Sequence, residues 1–139
     1  MPSVNDLRER VQGWLRRQPK VVVPRTILII DGNGPNRQST ARLVQSLGYE
    51  PIQSSSIAQA IKRLEQDDPK SVLLAFELDD ATGLEALSQL RELDPNLPII
   101  MLAPDLWDNR SADAMRNGAV AYLARPFGPD DLRELLIRR

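Results

Sequence analysis

Short apolar runs alternate with segments of helical periodicity along most of this chain. The runs cover residues 27–30, 51–52, 72–74, 99–102 and 121–123. Between and after them, apolar residues recur at helical spacing in five groups: Ala41/Val44/Leu47, Ile57/Ala60/Ile61/Leu64, Leu84/Leu87/Leu90, Ala112/Met115 and Leu132/Leu135/Leu136. Strands that are apolar along nearly their whole length are buried on both faces, which is typical of parallel sheets with helical connections. The pattern therefore predicts an α/β fold with a doubly wound, five-stranded parallel sheet.

The order of these elements also predicts where a functional site would lie. Right-handed connections leave a crevice at the carboxyl ends of the strands, where the strand order reverses. Gly48 and Gly118 follow two of the helical segments and are predicted to end those helices. We expect any binding site at the carboxyl edge of the sheet.

Composition narrows the class of protein. The chain has 139 residues, of which 42% are hydrophobic, enough for one core and too few for two ordinary domains. It has no cysteine and no histidine, which excludes disulfides, thiolate nucleophiles, imidazole bases and the commonest zinc ligands. Its apolar runs are far shorter than the roughly 20 residues of a membrane span, and no signal-peptide pattern opens the chain. We expect a soluble, cytoplasmic protein.

The first residues form a separate segment. Ser3 and Asp6 have the spacing of a helix N-cap with its capping box. An apolar stripe follows at heptad spacing, formed by Val4, Leu7, Val11 and Trp14. Two heptads are too few to indicate a coiled coil. Because prolines bracket residues 20–23, we predict a helix and an extended linker over residues 1–25, followed by a single domain over 26–139.

This N-terminal segment is basic, with six basic residues against two acidic ones in residues 1–25. No aromatic residues interleave the arginines at a stacking spacing, so a solvated helix face is favoured over a nucleic-acid or membrane contact. A helix this short needs packing to be stable, so we expect Leu7, Val11 and Trp14 to be buried. They could pack on the domain at 26–139 of the same chain or on the same helix of a second copy. The heptad spacing favours the second copy.

Five phrases occur in a fixed order: Ile27-Leu28-Ile29-Ile30-Asp31, Leu47-Gly48-Tyr49-Glu50, Pro69-Lys70-Ser71-Val72-Leu73-Leu74-Ala75 with Gly83-Leu84-Glu85 after it, Pro98-Ile99-Ile100-Met101-Leu102, and Gly118-Ala119-Val120-Ala121-Tyr122-Leu123-Ala124-Arg125-Pro126-Phe127. Together they resemble the receiver domain of response regulators, over residues 25–139. The resemblance implies a flavodoxin-like fold and a cis bond between Arg125 and Pro126.

In that family an aspartate attacks phosphorus, a magnesium ion neutralises the transferred oxygens and a lysine stabilises the product. The resemblance places four other residues at the positions of that chemistry: Ala75 at the phosphoacceptor, Gly32 at a metal-binding carboxylate, Ala103 at the strand-four hydroxyl and Arg125 at the lysine. Asp31 and Glu77 alone are too few ligands for magnesium. We therefore expect no phosphorylation, no metal, no cofactor and no enzymatic activity.

Three further expectations concern single residues. Asp31 and Arg125 would face each other across the crevice and form a bidentate ion pair. Asp79 and Asp80 lie four and five residues after Ala75, too far to replace the acceptor, and are expected in an exposed loop. Trp107 is expected, with Phe127 and the leucines of the last helix, to be core or helix-covering residues.

The resulting hypothesis is a phosphorylation-independent receiver-like module for signalling or scaffolding that acts through protein–protein interaction. In the family, partners and dimer mates use a face formed by the fourth helix, fifth strand and fifth helix, here marked by Arg116, Tyr122 and Arg133. A homodimer is one form such an interaction could take. Two alternatives stay open: a small-ligand or nucleotide sensor in the emptied crevice, and a nucleic-acid or membrane adaptor using the basic N-terminal arm.

Overall fold

The predicted alternation of strands and helices is present in the computed structural model, which describes residues 3–17 and 25–137. The described residues form six helices and five strands. In chain order these are α1 (Val4–Arg17), β1 (Thr26–Ile30), α2 (Gly34–Ser46), β2 (Glu50–Ser54), α3 (Ile57–Asp67), β3 (Ser71–Ala75), α4 (Gly83–Leu93), β4 (Ile99–Ala103), α5 (Arg110–Arg116), β5 (Ala121–Ala124) and α6 (Pro129–Ile137).

The five strands form one parallel sheet in the order β2-β1-β3-β4-β5. This confirms the predicted fold class. The expected second strand, residues 51–52, was too short, since β2 pairs with the whole of β1 from Thr26↔Glu50 to Ile30↔Ser54. β2 has exposed as well as buried residues, so it does not form a continuous apolar run in the sequence. β2 and β5 are the two edges of the sheet.

Helices cover both faces of the sheet. On one face, α3, α4 and α5 pack against alternate residues of β1, β3 and β4, such as Leu28, Leu74 and Met101. On the other, α2 and α6 cover Ile29, Leu73 and their neighbours. All five residues of β3 and of β4 are buried, as expected for strands covered on both sides. The sheet is therefore doubly wound, and a binding site is expected at the carboxyl ends of its strands.

Local sequence signals explain where the helices begin and end. The side chains of Asn33, Ser56 and Thr82 each accept a hydrogen bond from a backbone N–H in the first turn of the helix that follows. Gly48 and Gly118 have φ angles of 92° and 105°, in the left-handed region that glycine adopts most readily, which confirms the two predicted helix stops.

α1 confirms the predicted N-terminal helix and its capping box. Ser3 N donates to Asp6 Oδ2, and Asp6 N donates to Ser3 Oγ, both at 3.2 Å. The apolar stripe is not buried, because Leu7, Val11 and Trp14 are 47%, 56% and 55% exposed and no residue of α1 is buried. Of the two expected surfaces, the described part of the chain's own domain therefore does not bury the stripe. The linker predicted between Pro19 and Pro24 lies outside the described residues.

Trp107 corrects an expectation, because it is 90% exposed and belongs to no core. It lies in the loop between β4 and α5, where its backbone N–H donates to Asp105 Oδ1 at 2.8 Å. This turn directs the loop away from the helices that cover the sheet. The hydrophobicity of the residue alone therefore gave the wrong prediction for Trp107. Phe127 is partly buried, and Leu132 and Leu136 are fully buried, as expected.

Among the helices that the structure describes, none has the length and apolar character needed to cross a membrane.

The start of α4 permits no side chain. A Cβ at Gly83 would lie 2.3 Å from the carbonyl oxygen of Ala75 and 2.6 Å from the Cα of Phe76. We expect Gly83→Ala to lower the free energy of unfolding by about 1–3 kcal/mol, because backbone atoms cannot move aside as a side chain can. Urea denaturation at neutral pH measures this change.

Gly34→Ala is the matched control. Gly34 also lies in the first turn of a helix, and its Cβ would meet only the end of the Arg37 side chain, at 3.8 Å. We expect its unfolding free energy to stay the same or rise, because alanine favours helix. Equal losses of unfolding free energy in the two variants would show that the close approach of the Ala75 and Phe76 backbone to Gly83 is not what destabilises Gly83→Ala.

Candidate functional site

The carboxyl ends of the strands enclose a crevice of about 220 Å³. Its lining combines carboxylates, guanidinium groups and amides around a small apolar floor: Asp31, Asn33, Asn36, Ala75, Phe76, Glu77, Leu102, Pro104, Arg110 and Arg125. Of the six residues predicted here, Asp31, Ala75, Glu77 and Arg125 line the crevice. Gly32 and Ala103 lie beside it and do not contribute to its wall.

Asp31 follows β1 and is buried, with its side chain 5% exposed. Its Oδ1 accepts a hydrogen bond from the backbone N–H of Asn33 at 2.9 Å, and its Oδ2 lies 3.5 Å from Nη2 of Arg125. Arg37 Nη1 donates to the Asp31 carbonyl oxygen at 2.9 Å. The carboxylate is thus held by one backbone donor and one guanidinium.

The expected contact between Asp31 and Arg125 is present, but it is not the bidentate pair predicted from sequence. The contact runs from Nη2 of Arg125 to Oδ2 of Asp31 at 3.5 Å, which is long for an ion pair, and the same nitrogen donates to Thr40 Oγ1 at 3.0 Å. The guanidinium carbon lies 5.2 Å from the centroid of the Phe127 ring. Nη2 is shared between the Thr40 hydroxyl and the Asp31 carboxylate, and the guanidinium also packs on the Phe127 ring. A bidentate ion pair with Asp31 therefore does not form.

Burial dominates the electrostatics of this pair. Burial raises the pKa of Asp31, and the Asn33 N–H and the positive charges of Arg125 and Arg37 offset it only in part. Burial also lowers the pKa of Arg125, against the opposing effect of Asp31. The ionised carboxylate is therefore less stable in the folded chain than in the unfolded one.

Gly32 is closed over by the loop that follows β3. Its backbone N–H donates to the carbonyl oxygen of Glu77 at 2.9 Å. A Cβ at this position would lie 2.9 Å from that oxygen and 3.1 Å from the Cα of Leu78. Any side chain at Gly32 would therefore require the loop to move. Within residues 3–17 and 25–137, no three acidic, histidine or cysteine side chains are grouped so that they could hold a metal ion.

Asp80 has a structural role that sequence reasoning missed. It is exposed, as expected, but its two carboxylate oxygens accept hydrogen bonds from the backbone N–H groups of Ile57 and Ala58, at 2.8 and 3.1 Å. These are free donors in the first turn of α3, and they lower the pKa of Asp80. A cap supplied from 23 residues away has no local spacing signal. Asp79 N also donates to the Ser55 carbonyl, at 3.0 Å.

Arg110 lines the crevice and was also missed by sequence reasoning. Its guanidinium binds both oxygens of Asp108, with Nη2 to Oδ2 at 2.6 Å and Nε to Oδ1 at 3.0 Å. It also stacks over the Phe76 ring, with 4.5 Å from the guanidinium carbon to the ring centroid. This pairing lowers the pKa of Asp108. Asp108 precedes α5 and Arg110 is its first residue, and a spacing of two residues at a helix start gave no signal from which the sequence could have predicted the pair.

The predicted partner face lies away from the crevice lining. Tyr122 is on the edge strand β5 and is 50% exposed. Arg116 on α5 and Arg133 on α6 are also exposed, and each is paired with an aspartate of its own helix, Asp113 and Asp130. The three residues lie on the edge strand β5 and on the two helices that contact it, one on each face of the sheet.

The raised pKa of Asp31 gives a pH-dependent stability. Because the folded-state pKa lies above the ordinary value of 3.8, stability is fully present below 3.8 and falls as pH rises through the raised value. We expect Asp31→Asn, which keeps an oxygen acceptor for the Asn33 N–H, to raise the melting temperature at pH 7. The gain should shrink toward acidic pH, as followed by thermal denaturation in a pH series.

Asp80→Asn is the control of opposite sign. The lowered pKa of Asp80 contributes stability above 3.8 that is lost as pH falls through the lowered value. We expect this variant to melt below the wild type at pH 7 and to approach it in acid. An Asp31→Asn variant that melts lower than wild type at pH 7 would show that the Arg125 contact outweighs burial.

Relatives with known names match most of the chain. The phosphate regulon transcriptional regulatory protein PhoB of Pseudomonas aeruginosa is 32% identical over 119 residues, which cover 84% of this chain and 51% of that protein. PhoB of Escherichia coli is 23% identical over 110 residues, 78% of this chain and 48% of the relative. The chain therefore spans about half the length of these curated relatives.

Solved structures share the fold. A CheY-like response regulator receiver domain protein from Methanospirillum hungatei matches with a TM-score of 0.74 and 26% identity, over 84% of this chain and 93% of that one. The receiver domain of the Pseudomonas aeruginosa sensor histidine kinase PA1611, solved with magnesium in its active-site cleft, gives a TM-score of 0.75 at 24% identity, over 84% and 97%.

The family assignment follows from the match of a family model to nearly the whole sheet and its helices. The model of the response regulator receiver domain matches residues 27–137, from the first residues of β1 to the end of α6. Five parallel strands in the order β2-β1-β3-β4-β5 agree with it. The chain belongs to the response regulator receiver domain family.

Proposed function

We propose that this chain is a phosphorylation-independent receiver domain, a signalling or scaffolding module that acts through protein–protein interaction and is not an enzyme. One observation carries the proposal. Ala75, at the carboxyl end of β3 in the position of the family's phosphoacceptor aspartate, lines the crevice with a methyl group. A methyl group has no lone pair with which to attack phosphorus.

The geometry around Ala75 does not fit the magnesium ion on which the family's chemistry depends. Mg²⁺ requires oxygen ligands in near-octahedral geometry. Asp31 is the one carboxylate at the end of β1, and the neighbouring position, Gly32, has the Glu77 carbonyl where a side chain would begin. Two of the acidic ligands of a working receiver site are thus replaced by a glycine and an alanine, Gly32 and Ala75.

The nearby acidic residues do not replace the acceptor. Asp80 caps α3 with both of its oxygens, and Asp79 is tied through its backbone to Ser55. Moving either carboxylate into the crevice would break these contacts and uncover the N-terminus of α3. Arg125, at the position of the family's lysine, is likewise engaged by Asp31 and Thr40.

The interaction surface is independent of the crevice. Receiver domains interact with other proteins, such as kinases, and the proposed face of this chain consists of Arg116, Tyr122 and Arg133 on α5, β5 and α6. An exposed tyrosine on an edge strand, with an exposed arginine on each of the two adjoining helices, has the composition of an interface hot spot. None of the three residues lines the crevice, so a lost phosphorylation site leaves this face intact.

The alternative of a small-ligand or nucleotide sensor in the crevice is less favoured. Both guanidinium groups in the lining already contact carboxylates, Arg125 with Asp31 and Arg110 with Asp108. A phosphate would have to displace these contacts before it gained its own. The crevice volume of about 220 Å³ is also below the roughly 300–1,000 Å³ of ordinary ligand pockets.

The absent chemistry is tested by phosphorylation. We expect radiolabelled acetyl phosphate with Mg²⁺ to leave no acid-labile phosphate on the wild type. Ala75→Asp restores the nucleophile alone and leaves Gly32 without a metal-binding carboxylate. The loss of one charge-stabilising group lowers a catalysed rate by a factor of about 10²–10³. We therefore expect the variant to be labelled at least about a hundredfold more slowly than an intact receiver domain run in parallel.

Brisk Mg²⁺-dependent labelling of Ala75→Asp would show that the closed loop at Gly32 still admits the ion. Label on the wild-type chain itself, mapped to any carboxylate, would overturn the proposal. The mapping uses borohydride reduction of the acyl phosphate and mass spectrometry.

The interaction face is tested by partner recovery. Proteins retained by the immobilised wild-type chain are identified by mass spectrometry, and their binding is then measured with a variant that combines Arg116→Ala, Tyr122→Ala and Arg133→Ala. We expect at least about a tenfold loss of affinity, as is usual when hot-spot side chains are truncated. Because all three side chains are exposed, the melting temperature should change little.

Arg42→Ala on α2 is the control, since Arg42 is exposed on a helix that packs beside the other edge strand, β2. Its binding should match the wild type. Retained affinity in the triple variant, or equal loss in the control, would place the contact elsewhere on the chain.

A further inference from the structure

The apolar stripe of α1 is uncovered. Val4, Leu7 and Val11 lie on one side of the helix at heptad spacing, and each is 47% exposed or more. A helix of 14 residues is marginal in water without packing, and Gly13 weakens this one further. The stability of α1 therefore calls for a surface on which the stripe can be buried.

An apolar groove of about 240 Å³ runs between α3 and α4 on the receiver fold. Ile61 and Leu64 form its α3 side, and Leu93 and Leu97 form the other. Leu93 is 58% exposed, although it ends a helix whose other leucines are mostly buried. The groove thus presents aliphatic side chains in a concave arrangement, the kind of surface into which an amphipathic helix packs.

The charges of the helix and the groove are complementary. The two charged residues that line the groove, Glu65 and Asp94, are both acidic. α1 has four arginines against two acidic residues, and Arg8 and Arg10 flank its stripe. Two α1 helices packed on each other would bring these flanking arginines together, which is unfavourable, whereas the groove offers them carboxylates.

We propose that α1 of one chain docks in the α3–α4 groove of a second copy, and that the exchange is reciprocal. Within residues 3–17 and 25–137 of one chain, Val4, Leu7 and Val11 stay largely exposed and the groove stays open. A pair of chains has two helices and two grooves, so a twofold arrangement covers all four surfaces with one repeated contact. The proposal does not depend on the crevice or on the α5–β5–α6 face, and it stands or falls separately from the proposed function.

Site-directed cross-linking tests this arrangement directly, because the chain has no cysteine. Val11→Cys and Leu93→Cys are made in separate full-length chains, mixed and oxidised. We expect a disulfide between the two variants, identified by mass spectrometry, and far less cross-linking in either variant alone. Trp107→Cys mixed with Val11→Cys is the matched control, since Trp107 is exposed and lies outside the groove, and it should remain uncross-linked.

Mass in solution provides the second measurement. The wild type should have the mass of a dimer by light scattering, and Leu93→Arg should weaken that dimer by at least about tenfold, since an arginine would face the arginines of α1. Trp107→Arg makes the same chemical change at an exposed apolar residue elsewhere and should leave the dimer unchanged. Both sites are exposed, so folding should be preserved and is checked by circular dichroism.

Four outcomes would overturn the proposal. Strong cross-linking of Val11→Cys with itself would show that α1 pairs with α1. A chain with both cysteines that forms the disulfide only within itself would show an intramolecular dock. A wild type that is monomeric at all concentrations, or a dimer that Leu93→Arg does not weaken, would show that the groove is not the docking site.

Discussion

Burial of β3 on both faces and both edges is the constraint on which the rest of the structure depends. It lies between β1 and β4, and all five of its residues are buried under helices on either side. Every backbone group of such a strand must find its partner within the sheet. The neighbouring strands are thereby fixed in register, and the ends of β1, β3, β4 and β5 meet around one crevice.

The sequence predicted those parts of the molecule that depend on local pattern. Continuous apolar runs indicated four of the strands well, and helix stops at Gly48 and Gly118 followed from local chemistry. It could not predict contacts made by distant residues. The Asp80 cap on α3 joins residues 23 positions apart, and the exposure of Trp107 depends on how one loop turns away from the helices. Neither has a period or a spacing to detect.

The crevice contains one buried carboxylate, and its contacts show how the fold accommodates that charge. The single carboxylate of Asp31 is held by one backbone donor and shares a guanidinium with Thr40. Burial nevertheless outweighs these contacts, as the raised pKa of the carboxyl shows. Ionic contact across the crevice is therefore compensation for a buried charge rather than a source of stability, in keeping with the general behaviour of buried ion pairs. Its value lies in fixing the position of Arg125.

The hydrogen bond from Gly32 to Glu77 has an evolutionary consequence. A Cβ at this position would meet the Glu77 carbonyl oxygen at 2.9 Å, so any residue other than glycine is penalised as overpacking unless the loop after β3 moves. Under the proposed function, an aspartate introduced at Gly32 alone would carry this cost while Ala75 still lacked a nucleophilic oxygen. A change at Gly32 would therefore be accepted more readily after a change in the loop after β3 than before it.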